Sequence, residues 1–207
     1  MREGHHPPAL CATIGHTARM TRDATADLAH LRETLRSRRT VFEGRLLRVQ
    51  EDEVELPDGG LTRREVVDHP GAVAVVAVDG DGVVLVRQWR HAVADALWEL
   101  PAGTRDPDED PGLTARRELA EETGYTAARW TSLGSGFVSP GYSGERMWLY
   151  LAEGLSGGTA TADPDERLDV QTFTDAAVAG LVADGDTDLK TIAGIALAGR
   201  LRPAARR

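Results

Sequence analysis

Residues 103–125 read GTRDPDEDPGLTARRELAEETGY, and the rest of the chain is best understood outward from this segment. Asp110 is a residue type that caps helix N-termini, and Pro111 suits the first helical position. Gly124 is the residue expected where a helix stops in a left-handed turn. The segment therefore predicts a helix over about 111–123. At 100° per residue, Leu113, Leu119, Ala120 and Thr123 gather on a side able to face a core. Glu118, Glu121 and Glu122 fall on another side, with Glu118 and Glu122 one turn apart.

Three like charges on one face repel by roughly 0.2–0.5 kcal/mol per i,i+4 pair even in water. A solvated acidic face tolerates that, and most charge runs are such faces. A cleft does not, unless a hard dication with a preference for oxygen ligands binds there. The spacing decides between these readings. Gly103, Glu109, Arg117, Glu118, Leu119, Glu121, Glu122 and Gly124 fit G-x5-E-x7-R-E-U-x-E-E-x-G-U, where U is aliphatic. A chance match is on the order of one in ten million at average residue frequencies. The segment resembles the Nudix box of the Nudix hydrolase family. Tyr125 departs from the final aliphatic position, which bears on packing rather than chemistry.

The resemblance implies that Glu118 and Glu122 are the principal ligands of Mg²⁺, with Mn²⁺ or Zn²⁺ as other candidates. Glu121 assists directly or through water, and the Ala102 carbonyl completes the protein's share. Glu109 and Arg117 are implied to pair and hold the loop, alongside the structural glycines Gly103 and Gly124. A general base is implied in the acidic loop 163–167, with Glu166 first and Asp165 second; the alternative is a merely solvated loop.

Four further stretches resemble the ADP-ribose pyrophosphatase branch: 69–73 (HPGAV), 87–90 (RQWR), 97–103 (LWELPAG) and 139–143 (SPGYS). Pro140, 15 residues beyond Tyr125, lies close to where that branch carries a marker proline. The implied reaction is metal-dependent hydrolysis of the pyrophosphate of ADP-ribose to AMP and ribose 5-phosphate. Arg87 and Arg90 are either surface charges or bidentate diphosphate donors, the chemistry to which Arg is suited. Glu99 is a candidate for contact with ribose or water. Phe137 and Tyr142 either stack a base or pack beneath a loop. Trp98 reads as core.

Away from this centre, the apolar run Ala72–Val78 predicts a strand buried on both faces. The Asp79–Gly82 turn leads into a second strand, Val83–Gln88. Strands are also expected near Trp130–Gly134, Met147–Ala152 and Leu168–Phe173, and helices over Asp175–Ala183 and Leu189–Leu201. Pro57–Gly60 predicts a turn joining Leu46–Leu56 to Arg63–Asp68 in a hairpin. Leu28, Leu31 and Leu35 predict an amphipathic helix over Asp23–Ser37. The order of elements predicts an α+β fold, an α/β/α sandwich with a mixed β-sheet between helices. The division expected is a disordered tail 1–22, a helix-and-hairpin region 23–68, and the hydrolase domain 69–202. Met20 is a candidate true start.

A net charge of −9 and a pI near 5.2 exclude the basic face of a nucleic-acid binder. A single cysteine, Cys11, excludes an internal disulfide and suits a reducing compartment. No stretch approaches the ~20 apolar residues of a membrane span. A cytoplasmic enzyme acting on a small nucleoside-diphosphate conjugate is the expectation. Other sugar nucleotides, NADH and oxidised nucleotides are alternative substrates, and a non-catalytic ADP-ribose-sensing module is an alternative class. The branch also implies a homodimer exchanging N-terminal strands, with Leu46–Asp68 as the candidate element.

Overall fold

The computed structural model describes residues 28–157, 160 and 167–200. It contains two sheets. The first is antiparallel, in the order β1 (Thr34–Glu43), β2 (Arg48–Glu55), β3 (Leu61–Asp68). The hairpin is therefore present, and Leu56–Gly60 makes its turn. The expected helix over 23–37 is corrected where it can be described. Leu28–Leu31 form a turn, and from Thr34 the chain is a strand. The leucine spacing is outweighed by charge pairing, because three of the four acids of β2 meet arginines. Arg38 forks onto Asp52 with two bonds of 2.7 Å, Arg39 bonds Glu51 at 3.0 Å, and Arg36 pairs with Glu55. Such cross-strand pairs are the unit of sheet stability. Leu28, Leu31 and Leu35 remain exposed, so no core draws them into a helical face.

The second sheet runs β10 (Leu168–Thr174), β5 (Gly82–Arg90), β4 (Ala72–Asp79), β9 (Arg146–Ser156), β8 (Thr126–Phe137). β4 and β9 are parallel; the other pairs are antiparallel. Two short strands outside the sequence reading complete it, β6 (Asp95–Glu99) on β5 and β7 (Ala102–Thr104) on β4. β4 explains the layering. Val73, Val75 and Ala77 face Ala115 and Leu119 of the helix α1 (Pro111–Thr123). Ala74 and Val76 face Val178 and Ile195 of α2 (Asp175–Asp184) and α3 (Leu189–Leu197). A strand with small apolar residues at every position but its last thus serves two cores, giving the expected α/β/α sandwich. Each buried valine contributes roughly 1.5–3 kcal/mol.

The caps of α1 are as expected. Asp110 accepts from Gly112 N–H at 2.8 Å, and Gly124 adopts φ 73° and donates to Ala120 O. The core face is rotated from expectation: Leu113 is exposed, while Thr114, Ala115, Glu118, Leu119 and Glu122 are buried. Centring the face on Ala115 and Leu119 turns Leu113 outward and turns two glutamates in.

Candidate active site

α1 lies against β7, and the two buried carboxylates meet consecutive residues of that strand. Glu122 Oε2 accepts from Ala102 N–H at 3.0 Å. Glu118 lies against Gly103, where a Cβ would fall on top of its carboxyl group. The motif glycine is therefore required for space. β7 is in turn held on β4 through the pairs Ala74–Ala102 and Val73–Gly103. Helix face, strand and core are thus one rigid mount for two acids one turn apart.

Arg117 ties this mount together. Its guanidinium contacts Glu118 at 2.7 Å, Glu121 at 2.9 Å and Glu109 at 3.2 Å. Burial alone would lower its pKa, but these acids outweigh burial and raise it. The expected Glu109–Arg117 pair is present. Glu109 also accepts from Thr114 Oγ1 at 2.9 Å, and its carbonyl receives Arg105 at 2.7 Å. The loop 105–110 is consequently pinned to the helix it precedes.

A second charged cluster abuts the first. Arg90 forks onto Glu99 with two bonds of 2.7 Å, and Lys190 contacts both Glu99 and Asp188. Glu99 is 1% exposed. Burial pushes its carboxyl up, but Arg90 and Lys190 outweigh burial and bring it from 4.5 to about 2. Glu122 and Asp188 also act on the charge of Arg90, so the two clusters are neighbours. The residues flanking Glu99 are strapped to the turn before α3 and to its first turn. Trp98 N–H donates to Asp186 O, Thr187 Oγ1 donates to Trp98 O, and Leu100 N–H donates to Thr191 Oγ1. Sequence reasoning missed Lys190. The signal available was composition: it is the only lysine among 24 basic residues, and arginine fills every other place.

The remaining candidates are placed as follows. Arg87 is exposed, 5.8 Å from the Trp98 ring, which itself packs edge-on against Phe173 beside the core. Phe137 and Pro140 line a cavity of about 430 Å³ together with Tyr142, Val66 and Arg64. Phe137 also faces a cavity of about 200 Å³ that reaches Lys190. Glu166 and Asp165 lie outside the described residues.

A NUDIX domain model matches residues 68–191, and the model of a nucleoside diphosphate sugar hydrolase N-terminal domain matches residues 33–67. The chain belongs to the NUDIX family. It is 44% identical over 137 residues to the methanol dehydrogenase activator of Bacillus methanolicus, covering 65% of this chain and 74% of that one. It is 40% identical over 147 residues to the ADP-ribose pyrophosphatase of Bacillus subtilis, covering 70% and 80%. It is 46% identical over 125 residues to the ADP-ribose pyrophosphatase of Mycobacterium tuberculosis, covering 59% and 60%. A crystal structure of an ADP compounds hydrolase shares the fold at a TM-score of 0.73 and 24% identity, covering 81% of this chain and 92% of that one.

As a NUDIX hydrolase the protein requires a site for a divalent cation, and the donor chemistry of α1 suits one. Glu118 and Glu122 present hard oxygens from a buried, fixed helix face. Among the described residues no three acidic or histidine side chains already converge as a cage. Glu118 instead contacts Arg117, and Glu122 accepts from Ala102 N–H.

Proposed function

We propose that this NUDIX hydrolase cleaves the pyrophosphate of ADP-ribose, using water to give AMP and ribose 5-phosphate, with Mg²⁺ as its ion and Mn²⁺ able to replace it. The observation that carries this reading is the seating of Glu118 and Glu122 on Gly103 and Ala102. The two ADP-ribose pyrophosphatases at 40% and 46% identity support the substrate.

Glu118 and Glu122 are the residues that would hold the ion, with Glu121 and the Ala102 carbonyl. Bound Mg²⁺ supplies charge neutralisation and a more acidic water. Arg87 and Arg90 bind the diphosphate oxygens, where a guanidinium fork matches the geometry. Phe137 and Pro140 wall the substrate from the side of the larger cavity. Glu166, or Asp165 before it, takes the proton of the attacking water. The oxygen of that water forms a new bond to one phosphorus, and the bridging oxygen leaves with the other phosphate.

The second reading keeps the chemistry and changes the sugar. The match at residues 33–67 to a nucleoside diphosphate sugar hydrolase region supports it, and so does 32% identity over 154 residues to the GDP-mannose pyrophosphatase of Klebsiella pneumoniae. Turnover of ADP-ribose, GDP-mannose, NADH and 8-oxo-dGTP with Mg²⁺, with products identified, separates the two. Absence of AMP and ribose 5-phosphate from ADP-ribose overturns the first.

A homodimer joined through the three-stranded sheet belongs to the same reading. Phe42, Leu46, Leu47 and Leu61 are exposed on that sheet and its turns, an apolar surface that a second copy would cover. A monomeric mass in solution at micromolar concentration removes it. No helix among the described residues is long and apolar enough to cross a membrane; a cytoplasmic location fits the single cysteine.

A further inference from the structure

Arg90, a diphosphate donor in the reading above, is held by Glu99 in this structure. The fork is made by Nε and Nη2, so that edge of the guanidinium can turn to a diphosphate only by leaving the buried carboxylate. Leaving is costly if the carboxylate then stands buried and unpaired. The structure contains the group that avoids this cost. We propose that Lys190 is a positioning residue for substrate capture, keeping Glu99 compensated so that Arg90 can transfer from that carboxylate to the diphosphate. The inference rests on the pyrophosphatase reading and adds a specific exchange to it.

Three observations carry it. Arg90 Nη2 and Lys190 Nζ share one oxygen, Glu99 Oε2, so removing Arg90 leaves that oxygen paired. Exposure grades across the trio: the side chains of Glu99, Lys190 and Arg90 are 2%, 13% and 41% exposed. The lysine is therefore the inner, fixed cation and the arginine the outer one, free to reach solvent-borne phosphate. Lys190 is itself anchored, because Asp188, the N-cap of α3, accepts from it while also capping Thr191 N–H at 3.0 Å. A compact ammonium fits between two carboxylates where a second planar fork would compete with Arg90. That accounts for a lysine here in a chain that otherwise uses arginine throughout.

The test uses the full chain. ADP-ribose affinity is measured by calorimetry in EDTA, and KM and kcat are measured with Mg²⁺. In Lys190→Met, Arg90 becomes the only cation left to Glu99 and stays there. ADP-ribose affinity then falls, and KM rises by about tenfold or more, as expected when only a minor fraction of the protein is binding-competent. The kcat of saturated enzyme changes by less than about threefold. Glu99→Gln combined with Lys190→Met releases Arg90, so affinity returns to within about threefold of the wild type. A residue serving only to hold the fold predicts the opposite, a double variant no better than the single one. An unchanged KM in Lys190→Met, or a double variant still tenfold weak, overturns the inference. Should Lys190→Met fail to fold, Lys190→Gln is measured in its place by the same affinity and KM criteria. Wild-type turnover is measured first: its absence overturns the substrate reading and this inference with it. Normal wild-type turnover with an unaltered KM in the variant overturns this inference alone.

Discussion

Gly103 lies so close to Glu118 that a single added methyl group would occupy the position of its carboxylate. The motif glycine and the motif glutamate are thus one device, a strand residue reduced to hydrogen so that a helix acid can lie across it.

Gly103→Ala makes this measurable. The group displaced is the end of a flexible side chain, so the fold adjusts at a cost of about 1–3 kcal/mol, the usual range for overpacking. Turnover, which depends on where that carboxylate rests, should fall by about 100-fold or more. Thermal unfolding and ADP-ribose turnover on the same sample check it; a variant with normal turnover disconnects Glu118 from the chemistry.

Glu122→Gln keeps an oxygen able to accept from Ala102 N–H, and loses the charge. The fold should remain, with an unchanged circular dichroism spectrum, while kcat drops by about 10²–10³. Near-normal activity rejects the role of Glu122 as a metal ligand.

Glu166→Gln should lower kcat by roughly 10²-fold or more, the scale of general-base assistance, with ADP-ribose affinity nearly unaltered. If kcat holds and Asp165→Asn instead shows the loss, the base is one residue earlier. If neither variant slows the enzyme, the base lies outside this loop.

The Glu99 carboxyl is held at about 2 against an ordinary 4.5, so its contribution to stability has a defined acid edge. A depressed pKa contributes fully above about pH 4.5 and is lost as pH falls toward 2. Glu99→Gln leaves a neutral side chain beside Arg90, which is 41% exposed, and Lys190, which keeps Asp188, and should cost about 1–3 kcal/mol near neutral pH. Denaturant unfolding of both proteins between pH 7 and 3 checks the sign: the gap between them should narrow below pH 4.5. A gap that widens on acidification contradicts the assignment.

Much of this architecture is legible in the sequence. The helix 111–123 announced itself through Asp110, Pro111 and Gly124, because caps are local chemistry needing no tertiary partner. β4 was legible because a strand walled on both sides must be apolar at every position. The start of β1, Thr34–Ser37, reads as helix from sequence, since three leucines at helical spacing say nothing about the acids on β2 that pair with Arg36, Arg38 and Arg39. Leu113 was misplaced because hydrophobicity alone cannot reveal that a helix turns glutamates inward. β6 and β7 escaped notice because five and three residues are too few to establish a period. The Glu109–Arg117 pair followed from the motif, whereas the Arg90–Glu99–Lys190 trio joins residues up to 100 positions apart. Lys190 belongs to no recognisable pattern except its rarity.

Val67 of β3 both accepts from Gly144 N–H and donates to Tyr142 O, which splices the N-terminal sheet onto the turn that carries Pro140. The two backbone bonds work as a mechanical linkage. A tilt of the N-terminal sheet would carry the 140–144 turn with it and reshape the cavity wall formed by Pro140, Gly141 and Tyr142. The acid-bearing helix is seated instead on β4 and β7. One wall of the proposed site is thus spliced to the N-terminal sheet, and the other rests on the central one.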